Sequence, residues 1–166
     1  MSDVERRAFR IALIATAQEE EALDIVQDSM LHLAQKYALK PANEWPPLFH
    51  RILQSKIRDW YRRQKIRNHW RVFFDASDEE GDLVEQAVDS QSLEGADKLD
   101  QNRAIESLEK ALHQLPLRQQ QAFLLRAWEG LDVKETAQAM QCSTGSVKTH
   151  YSRAIKALQN LLEDLK

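Results

Sequence analysis

The chain has 166 residues, enough for one domain of average size or two small ones, and 43% of them are apolar and 30% charged. No apolar run reaches the roughly 18 residues needed to cross a membrane, so stable membrane insertion is not expected. The N-terminus carries no export pattern, so we expect a cytoplasmic protein. The single cysteine, Cys142, cannot form an internal disulfide, and the five histidines include no pair at metal-ligand spacing. A structural metal is therefore not expected. With only four Gly and four Pro, the composition favours an all-α fold.

Charge is strongly segregated along the chain. Residues 51–74 carry a net charge of +7 and residues 75–100 carry −9, whereas 1–50 and 101–166 carry −3 and +2. The acidic stretch is rich in Asp, Ser and Gly and lacks a sustained apolar face, which is typical of a flexible linker. We therefore predict two small helical domains, 1–74 and 101–166, joined by an acidic flexible linker over 75–100. This linker is either a solvated spacer or a nucleic-acid mimic that lies on the basic surface.

Two helices are predicted first, from apolar residues that recur at steps of three and four. A helix over 4–17 would place on one face Phe9, Ala12, Leu13 and Ala17. A helix over 20–39 would turn inward Leu23, Val26, Met30, Leu33 and Tyr37. Its outer face, which is either solvated surface or a partner site, would consist of Asp24, Gln27, Asp28 and Gln35.

Three prolines predict a loop over 40–47, with Trp45 in its middle. An aromatic residue at this place either plugs the core or stacks on an unpaired base. A third helix over 48–68 would carry an apolar stripe of Phe49, Leu53, Ile57 and Trp60 and a basic stripe of Arg51, Arg58, Arg62 and Lys65. Basic side chains with interleaved aromatics favour contact with nucleic acid, and a membrane surface is the alternative.

The C-terminal part predicts a helix-turn-helix. A helix over 101–114, with Ile105, Leu108 and Leu112 inward, precedes a helix over 117–129 that stops at Gly130. Asp132 and Glu135 form a capping-box pattern for a short helix over 133–140. Ser143 can cap the last helix, whose apolar seam is Val147, Tyr151, Ala154, Leu158, Leu161 and Leu165.

In a helix-turn-helix the second helix enters the major groove, and its first two turns reach the base edges. The residues in position for this are Thr144, Ser146, Lys148, Thr149, Ser152 and Arg153. Gly145 would let backbone N–H groups approach a phosphate. The alternative is a helical hairpin without a ligand, in which Gly145 only allows close helix packing. Cys142 is predicted to be a small buried residue of the turn.

These C-terminal residues resemble the fourth conserved region of bacterial RNA polymerase sigma factors of the extracytoplasmic-function group. The resemblance rests on the order and spacing of Leu115-Pro116, Leu124-Leu125-Arg126, Glu129-Gly130-Leu131, Lys134-Glu135-Thr136-Ala137 and Gly145-Ser146-Val147-Lys148-Thr149. Residues 24–31 are similar to the polymerase-binding helix of the second region, and residues 51–63 to its promoter helix.

The resemblance implies a sigma factor, and it assigns roles to particular residues. Those expected to bind core RNA polymerase are Asp24, Gln27, Asp28 and Leu31. Those expected at the minus-10 element of promoter DNA are Asn43, Trp45, Gln54, Ser55, Arg58, Arg62 and Arg63. Those expected at the minus-35 element are Thr144, Gly145, Ser146, Lys148, Thr149, Ser152 and Arg153. An inhibitory anti-sigma factor is a further possible partner, whereas no catalytic residue, cofactor, metal or small-molecule substrate is implied.

Two departures prevent the promoter sequence from being copied from the family. Family members often have Ala-Arg-Asn where this chain has Leu53-Gln54-Ser55, and often a basic residue at His150. The competing hypothesis is a helix-turn-helix regulator that binds DNA without entering polymerase. An enzyme is a more distant alternative, because no nucleophile–base set, metal cluster or phosphate loop is evident. The charge pattern also suggests the hypothesis of self-masking, in which the acidic linker lies against the basic helix.

Overall fold

The computed structural model describes residues 2–75 and 96–164, and both ranges fold into helices without any strand. The N-terminal unit consists of α1 (Asp3–Thr16), α2 (Glu19–Tyr37), a 3₁₀ turn (Ala42–Glu44) and α3 (Trp45–Asp75). The C-terminal unit consists of α4 (Ala96–Gln114), α5 (Leu117–Phe123) with a π-helical turn (Leu124–Trp128), α6 (Val133–Met140) and α7 (Thr144–Glu163). The all-α prediction is confirmed. No helix in these two ranges is both long and apolar enough to span a membrane.

The predicted acidic linker over 75–100 lies largely outside the described residues. Its end is an exception, because α4 already begins at Ala96. The last residue of the predicted α7 seam, Leu165, also lies outside the described residues.

Helix starts are fixed by local capping bonds. At α1, the Ser2 hydroxyl accepts from the backbone N–H of Glu5 at 3.3 Å, and the Glu5 carboxylate accepts from the backbone N–H of Ser2. At α6, Asp132 and Glu135 make the same reciprocal pair, with bonds of 2.7 and 2.8 Å. The predicted capping box is therefore confirmed. Each pair satisfies backbone donors that the first helical turn leaves free.

The start of α3 differs from the prediction of a loop over 40–47. The helix begins at Trp45, so that Pro46 and Pro47 lie in its first turn. Proline is tolerated there because the first-turn N–H groups have no helical acceptor and the ring fixes a helical φ. Only Pro41, which precedes the 3₁₀ turn, acts as the breaker that the sequence predicted.

The main hydrophobic core lies between α1, α2 and α3, and the apolar stripe of α3 is buried as predicted: Phe49, Leu53, Ile57 and Trp60. Two inward predictions are wrong. Leu23 is 39% exposed, because Ala22 and Ile25 fill the core positions at that level of α2. Ile105 is 37% exposed, because α4 buries only its last turns, around Leu112.

The same core continues into the C-terminal unit. It includes Leu112, Leu115, Leu124, Ala154 and Leu158, so the two units are packed against each other. A second, smaller cluster lies within the helix-turn-helix and consists of Ala122, Leu125, Ala137, Ala139, Met140 and Val147. The helix-turn-helix thus has its own core and also touches the N-terminal unit.

Candidate nucleic-acid interface

Helices α6 and α7 are joined by a tight turn. Gln141 adopts the left-handed conformation (φ 54°), and the N–H of Cys142 donates to the Ala137 carbonyl at 3.1 Å. The Ser143 hydroxyl then caps α7 by accepting from the N–H of Ser146 at 3.1 Å. Cys142 is half-buried against the smaller core, in agreement with its predicted place in the turn. These bonds fix the direction in which α7 leaves the turn.

Helix α7 separates its apolar and polar residues onto different faces. Val147, Ala154 and Leu158 are buried. The predicted minus-35 residues lie on the outer part of the helix, where Ser146 is half-buried and the following are exposed: Thr144, Gly145, Lys148, Thr149, Ser152 and Arg153. The first turns of α7 therefore present hydroxyl groups and two cations to solvent, as a major-groove helix requires.

Gly145 is not needed for helix packing. A Cβ built at this position would meet only the Ser143 hydroxyl oxygen, at 3.9 Å, which is an ordinary van der Waals distance. The hairpin alternative, in which glycine allows two helices to approach, therefore has no support at this residue. The open space in front of Gly145 leaves the helix N-terminus accessible to a phosphate.

His150 lies on α7 beside two arginines and is half-buried. Burial lowers the pKa of its imidazole, and the charges of Arg118 and Arg153 lower it further. His150 is therefore neutral at neutral pH in the free protein. A nearby phosphate would raise the pKa of His150, because it favours the charged imidazole.

The basic stripe of α3 divides into an exposed and a covered part. Its exposed residues are Arg51, Arg62, Arg63 and Lys65, of which Arg62 lies 3.4 Å from the Asp59 carboxylate. Arg58 is instead half-buried against the helix-turn-helix. Its guanidinium donates to the Met140 carbonyl oxygen at 3.2 Å and to Gln141 Oε1 at 2.6 Å. Burial and the charge of Arg118 lower the pKa of Arg58.

Gln54 is also covered by the C-terminal unit. Its side chain is fully buried, and neither amide atom has a hydrogen-bond partner. Its main-chain carbonyl accepts from Gln121 Nε2 at 3.2 Å. Ser55 beside it is half-buried. Contact of Gln54 with promoter DNA stays a prediction, and it requires the two units to move apart.

The predicted base-holding loop is only partly free. Asn43 is exposed. Trp45 is half-buried, packs against the main core and donates its indole N–H to the Lys40 carbonyl at 3.1 Å. The structure thus has Trp45 in the core-plugging arrangement, and stacking on a base stays a prediction.

Helix α2 presents the predicted polymerase-binding residues outward: Asp24, Gln27, Asp28 and Leu31 are all exposed. Leu31 is 56% exposed and Leu23 is 39% exposed, one turn to either side of Gln27. Exposed leucines at this spacing form an apolar strip beside two carboxylates, which is typical of a partner surface. The sequence reading missed Leu23 here, although the i, i+4, i+8 spacing of 23, 27 and 31 was a usable signal.

Further polar contacts join the two units. His50 Nε2 on α3 lies 3.4 Å from a Glu129 oxygen, and Arg7 lies 3.5 Å from the other. Burial lowers the pKa of His50, and although the Glu129 carboxylate opposes this shift, the net direction is downward. A second ion pair joins Arg10 to Glu109.

The exposed α7 and the basic α3 together define an all-α DNA-binding protein of the helix-turn-helix type.

Comparison with known proteins agrees with this class. The family described as "Sigma-70, region 4" matches residues 105–158. The chain is 27% identical over 170 residues to the RNA polymerase sigma factor SigV of Bacillus subtilis (strain 168), a match covering 99% of this chain and 91% of SigV. A solved structure of the sigma factor RpoE in complex with the anti-sigma factor NepR, from Bartonella quintana, has a similar fold. Its TM-score is 0.62 at 21% sequence identity, covering 96% of this chain and 92% of RpoE.

Both matches agree with the resemblance to RNA polymerase sigma factors of the extracytoplasmic-function group. The region 4 match begins in the middle of α4 and continues through the helix-turn-helix into α7. The match with SigV extends this relationship over α1, α2 and α3. The resemblance identified from the sequence is confirmed.

Proposed function

We propose that the protein is an alternative sigma factor that binds core RNA polymerase, recognises the minus-35 and minus-10 promoter elements and promotes strand opening. The observation that carries this function is that one chain exposes both a capped recognition helix, α7, and an acidic and apolar face on α2. A regulator that acts through DNA alone needs only the first of these surfaces.

The minus-35 element is the proposed target of α7. Lys148 and Arg153 are exposed cations that would contact phosphates, and Thr144, Thr149 and Ser152 offer hydroxyls to base edges. Sequence would be read in part through DNA shape, because small hydroxyl side chains discriminate weakly between bases.

The polymerase is the proposed partner of α2. Asp24 and Asp28 are exposed carboxylates one turn apart, and Leu31 supplies exposed apolar area beside them. Burying the leucine on a partner releases water, and the carboxylates select a basic surface. We propose that this surface belongs to the coiled coil of the largest polymerase subunit.

Strand opening is the proposed task of α3 and the loop before it. Extruding a base from the duplex costs a few kcal/mol of stacking and pairing, so a pocket that captures the unpaired base favours the open form. Asn43 and Trp45 would form this pocket, while Arg62 and Arg63 would hold the backbone. No covalent chemistry is involved, and we propose no enzymatic activity.

The proposed setting is the cytoplasm, where polymerase and promoters are found. An anti-sigma factor is a further proposed partner, supported by the complex with NepR in which the similar RpoE was solved. A protein bound to both units would cover α7 and the basic face of α3 together.

Run-off transcription tests the function directly. Core polymerase from the source organism is given a pool of promoter fragments, with and without the protein, and transcripts are mapped. Asp24→Arg/Asp28→Arg is expected to abolish start-site-specific transcripts, because it reverses the charge of the α2 face. The matched control is Glu106→Arg/Glu163→Arg, which makes the same charge change at two exposed residues of α4 and α7.

The outcome separates the two hypotheses. Specific transcripts that persist in the control and disappear in the α2 variant support a sigma factor. DNA binding by wild type without core binding or initiation would support the regulator instead.

A further inference from the structure

A cavity of about 410 Å³ lies between α1, α2 and the start of α3. Its walls are mostly apolar, and they include Ala8, Leu33 and Phe49, which are buried in the main core. Met30 and Trp45, which pack against the same core, add thioether and aromatic surface. An apolar cavity of about 150 Å³ already holds benzene, so this one has room for a molecule of two fused rings.

The mouth of the cavity is formed by residues that solvent reaches. Val4, Ala34, Ala42 and Pro46 line it and are exposed, so the cavity is open to the solution. Of the two residues proposed to hold an extruded base, Trp45 lines the cavity and Asn43 does not. The cavity is therefore a different space from the proposed base-holding loop.

One carboxylate supplies a polar end to this apolar space. Glu129 lines the cavity, and its side chain is only 6% exposed. Its two oxygens lie 3.5 Å from Arg7 Nε and 3.4 Å from His50 Nε2. Both distances exceed about 3.2 Å, the upper end of the usual range for an N–H···O hydrogen bond. The carboxylate thus keeps acceptor capacity for a further donor, and a half-enclosed carboxylate gains from one.

The π-helical turn places Glu129 at the cavity. The N–H of Glu129 donates to the Leu124 carbonyl at 2.9 Å, five residues earlier, instead of to the carbonyl four residues earlier. Such turns are rare and occur frequently at functional sites. The irregular turn is therefore a second observation, independent of the cavity itself, that indicates a function for Glu129.

We propose that this cavity binds a small, neutral aromatic molecule that donates one N–H or O–H hydrogen bond to the Glu129 carboxylate. The apolar walls accept the ring system, and Arg7 already balances the charge of Glu129, so a neutral ligand suits the site. A nucleobase fits poorly, because its several polar edges would leave water without gaining partners on apolar walls. The proposal concerns the free chain and does not depend on DNA or polymerase.

Titration of the full chain with indole and with benzofuran, followed by ligand-observed NMR, tests the site. The two probes have nearly the same shape, but only indole carries an N–H donor. Indole is expected to bind one-to-one with a Kd of about 0.1–1 mM, as suits a ligand of few atoms. Benzofuran is expected to bind about three- to tenfold more weakly, because it cannot make the hydrogen bond. Equal affinities, or no binding of indole at millimolar concentration, would overturn the proposal.

Glu129→Leu tests the carboxylate. Leucine removes the acceptor at similar volume, so the affinity for indole should fall to that for benzofuran, while the affinity for benzofuran should stay unchanged. Equal weakening of both probes would overturn the role of Glu129.

Ala34→Phe tests the cavity without changing the contacts of Glu129. The larger side chain fills the mouth, so binding of both probes should be lost. The matched control is Ala104→Phe, the same substitution at an exposed position of α4 that does not line the cavity, and it should bind both probes like wild type. Binding of indole that persists in Ala34→Phe would place the probe elsewhere and overturn the proposal, even if Glu129→Leu fails to fold.

Discussion

The guanidinium of Arg58 donates to the main-chain carbonyl oxygen of Met140 at 3.2 Å, and this carbonyl is the last one of α6. Arg118 donates to the same oxygen at 2.9 Å. Two arginines therefore meet at the C-terminal end of the first helix of the helix-turn-helix, where the helix dipole is negative. In this structure the charge of Arg58 therefore interacts with the end of α6, whereas the resemblance assigns Arg58 to promoter DNA.

Gln54→Leu is expected to raise the melting temperature of the free protein by about 2–4 °C, equivalent to about 1 kcal/mol. Leucine has nearly the same volume and removes the two buried amide atoms that lack partners. The measurement is thermal unfolding followed by circular dichroism. Gln101→Leu, at an exposed position, is the control and should change little. A lower melting temperature for Gln54→Leu would mean that the amide has partners in solution.

Gly145→Ala is expected to stabilise the protein by about 0.5–1 kcal/mol and to weaken binding to a minus-35 fragment. The added methyl group makes only an ordinary van der Waals contact with the Ser143 hydroxyl in the free protein, but it would stand between the start of α7 and an approaching phosphate. Urea unfolding and DNA titration measure the two effects.

Gly130→Ala provides the contrast to Gly145→Ala. Gly130 has a φ of 68°, so alanine there is strained and the protein should lose stability, by about 1 kcal/mol. If Gly145→Ala binds DNA as tightly as wild type, the prediction that a phosphate closely approaches Gly145 is wrong.

The parts of the fold that were predictable depend on neighbouring residues. The pair Asp132 and Glu135 identifies the start of α6 because a capping box needs only residues three apart. The loop predicted before α3 was too long because proline both breaks a helix interior and suits a first turn, and the position of Pro46 alone does not distinguish the two.

The candidate site was predictable where it faces solvent and not where the two units meet. The exposure of the α7 residues follows from the helical periodicity of that segment alone. The covering of Gln54 and Arg58 depends instead on contacts with Gln121 and Met140, far away in the sequence. Charge alone assigned the whole basic stripe to one surface, whereas tertiary packing divides it into an exposed and a covered part.

His50 is expected to make the protein less stable in mild acid. Burial lowers its pKa in the folded state below the value of about 6.5 that an unfolded chain has, with Glu129 opposing and Arg7 adding to the shift. The unfolded state therefore binds the proton more tightly, so this contribution to stability is present above about pH 6.5 and is lost as the pH falls through the folded-state pKa.

Urea midpoints between pH 7.5 and pH 5 measure the effect of His50. Wild type should lose stability toward pH 5, and His50→Gln should lose less. The control is His69→Gln, an exposed histidine on the same helix, which should follow wild type. Parallel curves for His50→Gln and wild type would show that this imidazole does not become charged on unfolding.

His150 is expected to make DNA binding tighter as the pH falls below about 6.5. In the free protein, burial and the charges of Arg118 and Arg153 lower the pKa of its imidazole, so the side chain is neutral at pH 8. A phosphate close to His150 would favour the charged form and raise that pKa, so binding takes up a proton and strengthens in acid. Affinity for a minus-35 fragment is measured at pH 5.5 and pH 8 at constant salt. Wild type should gain severalfold in affinity at the lower pH, whereas His150→Gln should gain much less. An equal gain in both proteins would mean that His150 does not face the DNA, and the pH dependence would then belong to other groups of the complex.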